Sequence, residues 1–227
     1  MSGEAELAGP SAGLVSLIVA VAHDVAGQAE LLNRLDGLAG DGDLGVTATH
    51  AAASLEAVAR DAAAMAPAAA LRRMGRAIAS GAPSTGGTLI AFAFMAAGAA
   101  DLPDAEPGAR VVAALDGARS SIAERGQVAP GDRTMLDALA PAVEAFRIAL
   151  SDGGTIPAAA AGAAEAAEAG ARATTGMEPT VGRAGWLKDR ARGNEDPGAR
   201  LVAIAVAAAA RRLSPPAAPT REGARST

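Results

Sequence analysis

Residues 35–45 read LDGLAGDGDLG, and they separate two alanine-rich stretches of helical periodicity. Asp36, Asp41 and Asp43 stand close together here, interleaved with Gly37, Gly40, Gly42 and Gly45. Carboxylates so near one another repel, and a glycine-rich stretch is a poor helix. The stretch therefore predicts a loop between helices, and a loop whose charges need a positive partner.

Working outward, Leu14, Leu17, Ile18, Val21, Val25 and Leu32 lie along one side of a helix expected from about Ser11 to Leu35. A second is expected over 46–60 and a third over 67–80, with Pro67 in its first turn. GAPSTGG precedes a very apolar fourth over 88–100, and DLPDAEPG a fifth over 109–125. GQVAPGD leads to a sixth over 134–150, and SDGGTIP to a seventh over 158–174. The long irregular stretch GRAGWLKDRARGNEDPG leads to an eighth over 199–213. Eight helices without a convincing strand predict an all-α domain over residues 11–213. Residues 1–10 are expected to be flexible, and the Pro- and Ser-rich tail 214–227 disordered. Mostly short connections favour an antiparallel up-and-down bundle. In such a bundle the loops after helices one, three, five and seven share one end, which gathers every polar, glycine-rich stretch at a single pole.

Composition agrees. Half of the 227 residues are apolar, chiefly alanine, while the chain has three Phe, one Trp and no Tyr. That suits helices packed closely through small side chains and does not suit a sheet. Without cysteine there is neither a disulfide nor a thiolate metal site. A net charge of −5 argues against nucleic acid as a partner. No apolar run reaches the roughly 20 residues of a membrane span. Leu14 to Ala22 lacks a preceding basic region and is followed by His23 and Asp24, so it reads as a buried helix segment and not a signal peptide. A cytoplasmic protein with no membrane association is expected.

The acidic stretch is a hard-oxygen donor set suited to Mg²⁺, Mn²⁺ or Ca²⁺, and its spacing does not fit an EF-hand. Its bland alternative is a solvated turn in which Asp43 caps the next helix. GAPSTGG offers hydroxyls and amides ahead of a helix, as a phosphate site or an ordinary cap would. Neither a P-loop nor a dinucleotide fingerprint is present. GDRTMLDAL reads as a cap, with Asp132 before Thr134, and Met135 alone as core. Arg183 and Arg190, near Trp186, suit phosphate or solvent; His23 and His50 sit on helix faces. Together these pieces point to a metal–nucleotide phosphate site.

In order and spacing, LDGLAGDGDLG, GAPSTGG, RGQVAPGDRTMLDAL, GRAGWL and DPGA resemble the dihydroxyacetone kinase L subunit, the DhaL or Dak2 family, over roughly residues 11–213. The resemblance implies an eight-helix antiparallel barrel with a nucleotide, ATP or ADP, at one pole. It implies that Asp36, Asp41 and Asp43 bind two Mg²⁺ ions. Nucleotide contacts carried over by motif fall on Leu44, Gly45, Val46, Thr47, Pro83, Ser84, Gly126, Met135, Arg183, Asp196, Pro197 and Gly198. Departures are Leu44 where the family often has His or Cys, Arg133 where Lys is usual, Trp186 for Tyr, and GAPSTGG for a Gly-Gly-x-Ser-Gly pattern. The implied activity is that of a glycerone kinase subunit, with no catalytic side chain beyond the metal and nucleotide ligands. It transfers a phosphoryl group to a small hydroxyketone or tetrulose, held by a separate K-type subunit through a histidine. Alone, the chain is expected to be incomplete. Two alternatives stand beside it: an ADP-retaining subunit rephosphorylated by a phosphotransferase-system protein, and a non-catalytic nucleotide-binding regulator. GDGDLGVTAT is closer to the pattern of ATP-dependent relatives, which favours an exchangeable ATP.

Overall fold

The computed structural model of the chain describes residues 7–100, 102, 104–178, 180 and 192–214. Its helices are α1 (Ala12–Ala26), α2 (Ala29–Ala39), α3 (Leu44–Ala63), α4 (Pro67–Gly81), α5 (Thr85–Ala97), α6 (Pro107–Gly126), α7 (Leu136–Ser151), α8 (Ile156–Ala173), a short 3₁₀ turn (Thr174–Gly176) and α9 (Pro197–Leu213). Among the described residues there is no strand, and the fold is all-α. Local chemistry sets several of the starts. Pro67, Pro107 and Pro197 open α4, α6 and α9, where a missing N–H costs nothing. Ser84, Thr155 and Asp196 cap α5, α8 and α9 by accepting a bond from an amide three residues on.

The helix expected from Ser11 to Leu35 is two helices, bent by 59°. Gly27 donates to the His23 carbonyl and Gln28 to the Val25 carbonyl, which closes α1 with a tightened turn. The second half runs on to Ala39, so Asp36 stands on a helix and not in the loop. The bend lets the first turn of α2 meet the start of α3. A Cβ on Gly45 would lie 2.1 Å from the Ala29 carbonyl oxygen, so only glycine permits this approach. No single helix among the described residues is long and apolar enough to cross a membrane.

From α3 to α9 each helix packs on its successor, α1 packs on α3, and α9 returns to α1, so the packing closes on itself. Alanine makes the close approaches. Ala159, Ala163, Ala167 and Ala171 recur every four residues and form the buried face of α8. Gly170 beside them meets the Asp137 carbonyl of α7, where a Cβ would come within 2.1 Å. Larger side chains, among them Leu136, Phe146 and Val202, fill one core, while Val15, Leu55, Met74 and Ile78 fill another. A small cluster of Leu32, Ala48 and Leu201, with Leu44 and Ile90 against it, joins α2, α3, α5 and α9. Asp24 accepts from Arg211 and Arg212 and ties the two ends of the packing order together. Ser11, just before α1, is held as well: its hydroxyl donates to the Met65 carbonyl at 2.7 Å and its amide to that of Ala63 at 3.1 Å.

Candidate functional site

After α2 the chain reverses and runs back along that helix. Ala29, Asn33 and Asp36 recur at helical spacing and face the returning strand of loop. Asp36 Oδ2 accepts from the amides of Gly42 (3.0 Å), Asp43 (2.9 Å) and Leu44 (3.3 Å). Asn33 Oδ1 accepts from Gly45 (2.7 Å) and Val46 (3.3 Å). Two side chains of α2 thus satisfy the amides that the start of α3 would otherwise leave without partners. Gly42, at φ 79°, makes the turn, and Gly40 leaves space for Asp36 Oδ1, which a Cβ there would approach to 2.7 Å.

This arrangement revises the bland reading of the acidic stretch. Asp43 occupies the N-cap position of α3, yet its side chain makes no capping bond. The carboxylate is left at the surface beside the other two. Asp36, Asp41 and Asp43 each offer an oxygen within 4.8 Å of the others, with Asp36 half-buried and the other two exposed. Burial pushes the Asp36 carboxyl above its usual range, and the Asp41 charge adds to the effect; the three amides oppose it. Mutual repulsion disfavours three carboxylates this close unless a cation joins them. An oxygen-only donor set converging on one point fits a hard divalent cation such as Mg²⁺ or Mn²⁺.

The neighbouring loop joins directly. Thr47, buried in the first turn of α3, donates to Ser84 Oγ at 3.0 Å, and Ser84 accepts from the Gly87 amide at the same distance. Leu44 reaches Gly86, where a Cβ would sit 3.3 Å from its Cδ1. Pro83 precedes Ser84 and is exposed. Sequence-expected contacts on two separate loops, Leu44 to Thr47 and Pro83 to Ser84, therefore form one surface. The amides of Leu44, Gly45 and Val46 are already engaged by Asp36 and Asn33, however, so they do not stand open toward a ligand.

A second surface forms between the α6–α7 loop and the start of α9. Asp137, almost fully buried, accepts from the amides of Gly131 (2.5 Å) and Thr134 (2.7 Å) and shapes the loop. Asp132, expected as the cap of α7, instead accepts from the Ala129 amide and the Thr180 hydroxyl, both at 2.7 Å. Met135 is nine-tenths buried and packs on Gly198, whose Cβ would lie 3.3 Å from that of Met135. Asp196 caps α9 through the Ala199 amide, and its own amide donates to Thr174 Oγ1, both at 2.8 Å. Burial raises its carboxyl to about 6, with Arg133 opposing and Asp137 adding to the rise. Pro197 follows as the first residue of α9. Gly126 ends α6, where a Cβ would lie 3.1 Å from Val128 of the α6–α7 loop and 3.8 Å from Leu89 of α5. Arg183, with Trp186 and Arg190, lies outside the described residues.

Asn33, Arg133, Asp137 and Thr174 were not singled out as site residues by the sequence reading. Asn33 carried one signal: a polar, poor helix former one turn before Asp36, on the side that faces the loop. His23 and His50 are exposed, as helix-face residues; His23 Nε2 is 3.4 Å from Glu56.

Fold and site together define an all-helical protein whose helix starts converge on a carboxylate cluster of metal-ligand character. The sequence profile of the DAK2 domain matches residues 38–211. Triokinase/FMN cyclase of Mus musculus is 34% identical over 178 residues, covering 78% of this chain and 31% of that protein. D-erythrulose kinase of Mycolicibacterium smegmatis is 34% identical over 192 residues, covering 82% and 32%. The ADP-binding subunit DhaL of the PEP-dependent dihydroxyacetone kinase of Escherichia coli is 39% identical over 87 residues, covering 38% and 41%. The crystal structure of the C. freundii dihydroxyacetone kinase in complex with AMP-PNP and Mg²⁺ superimposes with a TM-score of 0.71 at 26% identity, over 93% of this chain and 36% of that one. The chain belongs to the DAK2-domain family. It spans about a third of the length of the mouse and M. smegmatis relatives.

Proposed function

We propose that the chain is the nucleotide- and magnesium-binding component of a kinase that phosphorylates a small hydroxyketone or tetrulose, the substrate being held by a separate K-type subunit or domain. The observation that carries this reading is the convergence of Asp36, Asp41 and Asp43 beside the start of α3 and the Ser84-capped start of α5. Magnesium bound there would neutralise phosphate charge. The chain's own residues supply rigidity. Asp36 is fixed by three amides, Asn33 by two, and the Thr47–Ser84 bond holds the two loops in register. Catalysis here is positioning and charge stabilisation, for which no covalent protein intermediate is required. The remaining contacts proposed for the nucleotide are Pro83, Gly126, Met135, Arg183, Asp196, Pro197 and Gly198. AMP-PNP and Mg²⁺ in the C. freundii enzyme support the ligand class.

The donor is proposed to be exchangeable ATP. A second reading, favoured by the 39% identity to the E. coli ADP-binding subunit, is a retained ADP recharged by a phosphotransferase-system protein. Acid extraction of protein purified without nucleotide separates the two: an empty site supports exchange, near-stoichiometric ADP supports retention. The function itself is tested by calorimetric titration with ADP and ATP, in Mg²⁺ and in chelator, followed by assay with a K-type subunit and dihydroxyacetone. Mg²⁺-dependent binding and partner-dependent phosphorylation are expected. No binding under either condition overturns the proposal.

A further inference from the structure

We propose that Arg133 is a positioning residue for the nucleotide: from inside the α6–α7 loop it fastens the segment before α9 to the start of α7, so that Met135 and Gly198 stand side by side. The inference rests on the functional reading above for its ligand, but its structural half can be judged without one.

Arg133 is 2% exposed, an unusual place for a guanidinium. Its backbone is left-handed, with φ at 62°, a conformation unfavourable for a non-glycine residue that persists where surrounding contacts fix it. Those contacts come from three directions. Nε donates to the Thr174 carbonyl at 3.1 Å, at the end of α8, and Nη2 to the Asn194 carbonyl at 2.8 Å, two residues before the cap of α9. Its charge acts on Asp196, the capping residue itself. Thr174, fully buried, completes the frame by accepting from the Asp196 amide while donating to the Ala171 carbonyl. Three chain segments distant in sequence thus meet around one cation. Among the described residues, the charged groups that act on Asp196 are Arg133, from the loop, and Asp137, from α7. Arg133 therefore offsets the buried Asp196 as well as bridging two carbonyls.

The planar fork of arginine suits this task, because separate nitrogens reach separate carbonyls. Lysine would keep the charge and one carbonyl contact. A neutral side chain would leave both carbonyls without these donors and Asp196 facing Asp137 uncompensated. The expected consequence is a loosened segment from Asn194 to Ala199 and a displaced Gly198, with the carboxylate cluster on the other surface undisturbed.

The test compares wild type, Arg133→Lys, Arg133→Gln and Arg133→Met by amide hydrogen exchange and by calorimetric titration with MgADP. Each is measured well below its own melting temperature. Exchange at residues 194–199 should rise at least tenfold in Arg133→Met, while amides at 42–47 keep their wild-type rates. MgADP affinity should fall more than tenfold in Arg133→Met and stay within about threefold in Arg133→Lys. If Arg133→Met does not fold, the lysine and glutamine variants decide: lysine should bind more tightly and protect 194–199 better. Unchanged exchange at 194–199, equal behaviour of lysine and glutamine, or full affinity despite a loosened segment each overturn the proposal. Wild-type protein that binds neither MgADP nor MgATP overturns the functional reading and the ligand role together, whereas the exchange data then still report on the bridge.

Discussion

Replacing Gly45 by alanine should destabilise the protein, although the same change in an open helix stabilises it. The new Cβ would lie 2.1 Å from the Ala29 carbonyl oxygen and 2.6 Å from its carbon, where real Cβ contacts essentially never fall below 3.0 Å. Both atoms belong to helix backbone, so relief requires α2 and α3 to part by about 1 Å, and forced overpacking of this kind costs about 1–3 kcal/mol. Opposing it, alanine is favoured over glycine within a helix by up to about 1 kcal/mol. Separation also stretches the Gly45–Asn33 bond and swings the amides that orient Asp36, at about 1 kcal/mol for each bond lost. The net expectation is a loss of about 1–3 kcal/mol, or roughly 3–10 °C in melting temperature for a chain of this size. Gly162 of α8 provides the control, since a Cβ there meets nothing within 4 Å and alanine should raise the melting temperature. Thermal unfolding followed by circular dichroism reads both. A Gly45→Ala protein as stable as wild type would refute the close approach of α2 and α3 from which the acidic loop is built.

Asp196→Asn should be at least as stable as wild type at pH 7.5. The folded carboxyl titrates near 6 against 3.8 when exposed, so the unfolded chain holds fewer protons between those values and wild-type stability falls as pH rises through them. Asparagine still caps a helix, and the advantage, at most about 3 kcal/mol above pH 6, should vanish near pH 4; a wild type that gains stability relative to the variant on going from pH 5 to pH 7 would contradict this. Asn33→Ala should cost about 1–2 kcal/mol in denaturant unfolding, because two amides of α3 lose their acceptor, and a loss under about 0.3 kcal/mol would show that water replaces it freely. The 227-residue chain by itself should leave dihydroxyacetone unphosphorylated and become active on addition of a K-type subunit; turnover by the purified chain would count against the division of labour proposed here.

Helix positions were legible because alanine-rich amphipathic runs alternate with glycine and proline, and those signals are local. The bend at Gly27–Gln28 was not, since neither residue adopts a conformation barred to others, and Gly37 looked a stronger breaker than it is. Its helix survives because the returning loop packs against it, with the Gly42 Cα 3.8 Å from where a Gly37 Cβ would lie. The three aspartates announced themselves through spacing and unfavourable charge. Their support did not: Asn33 acts on amides 12 and 13 residues away, and Arg133 on carbonyls 41 and 61 residues away, distances over which a sequence pattern carries no geometry. The same holds for the Thr47–Ser84 bond, which joins two loops that each resemble an ordinary cap when read alone.

Asp36, Asp41 and Asp43 are proposed to hold divalent metal together with nucleotide. Manganese, which shares the oxygen preference of magnesium, allows bound ions to be counted by electron paramagnetic resonance as free Mn²⁺ disappears from solution. In the presence of ADP the wild-type chain should take up about two ions, the number used by two-metal phosphate sites, and Asp41→Asn should lose the uptake while retaining its helical circular dichroism. Wild-type protein that binds no Mn²⁺ with ADP present, or an Asp41→Asn variant that binds as wild type does, would contradict that assignment.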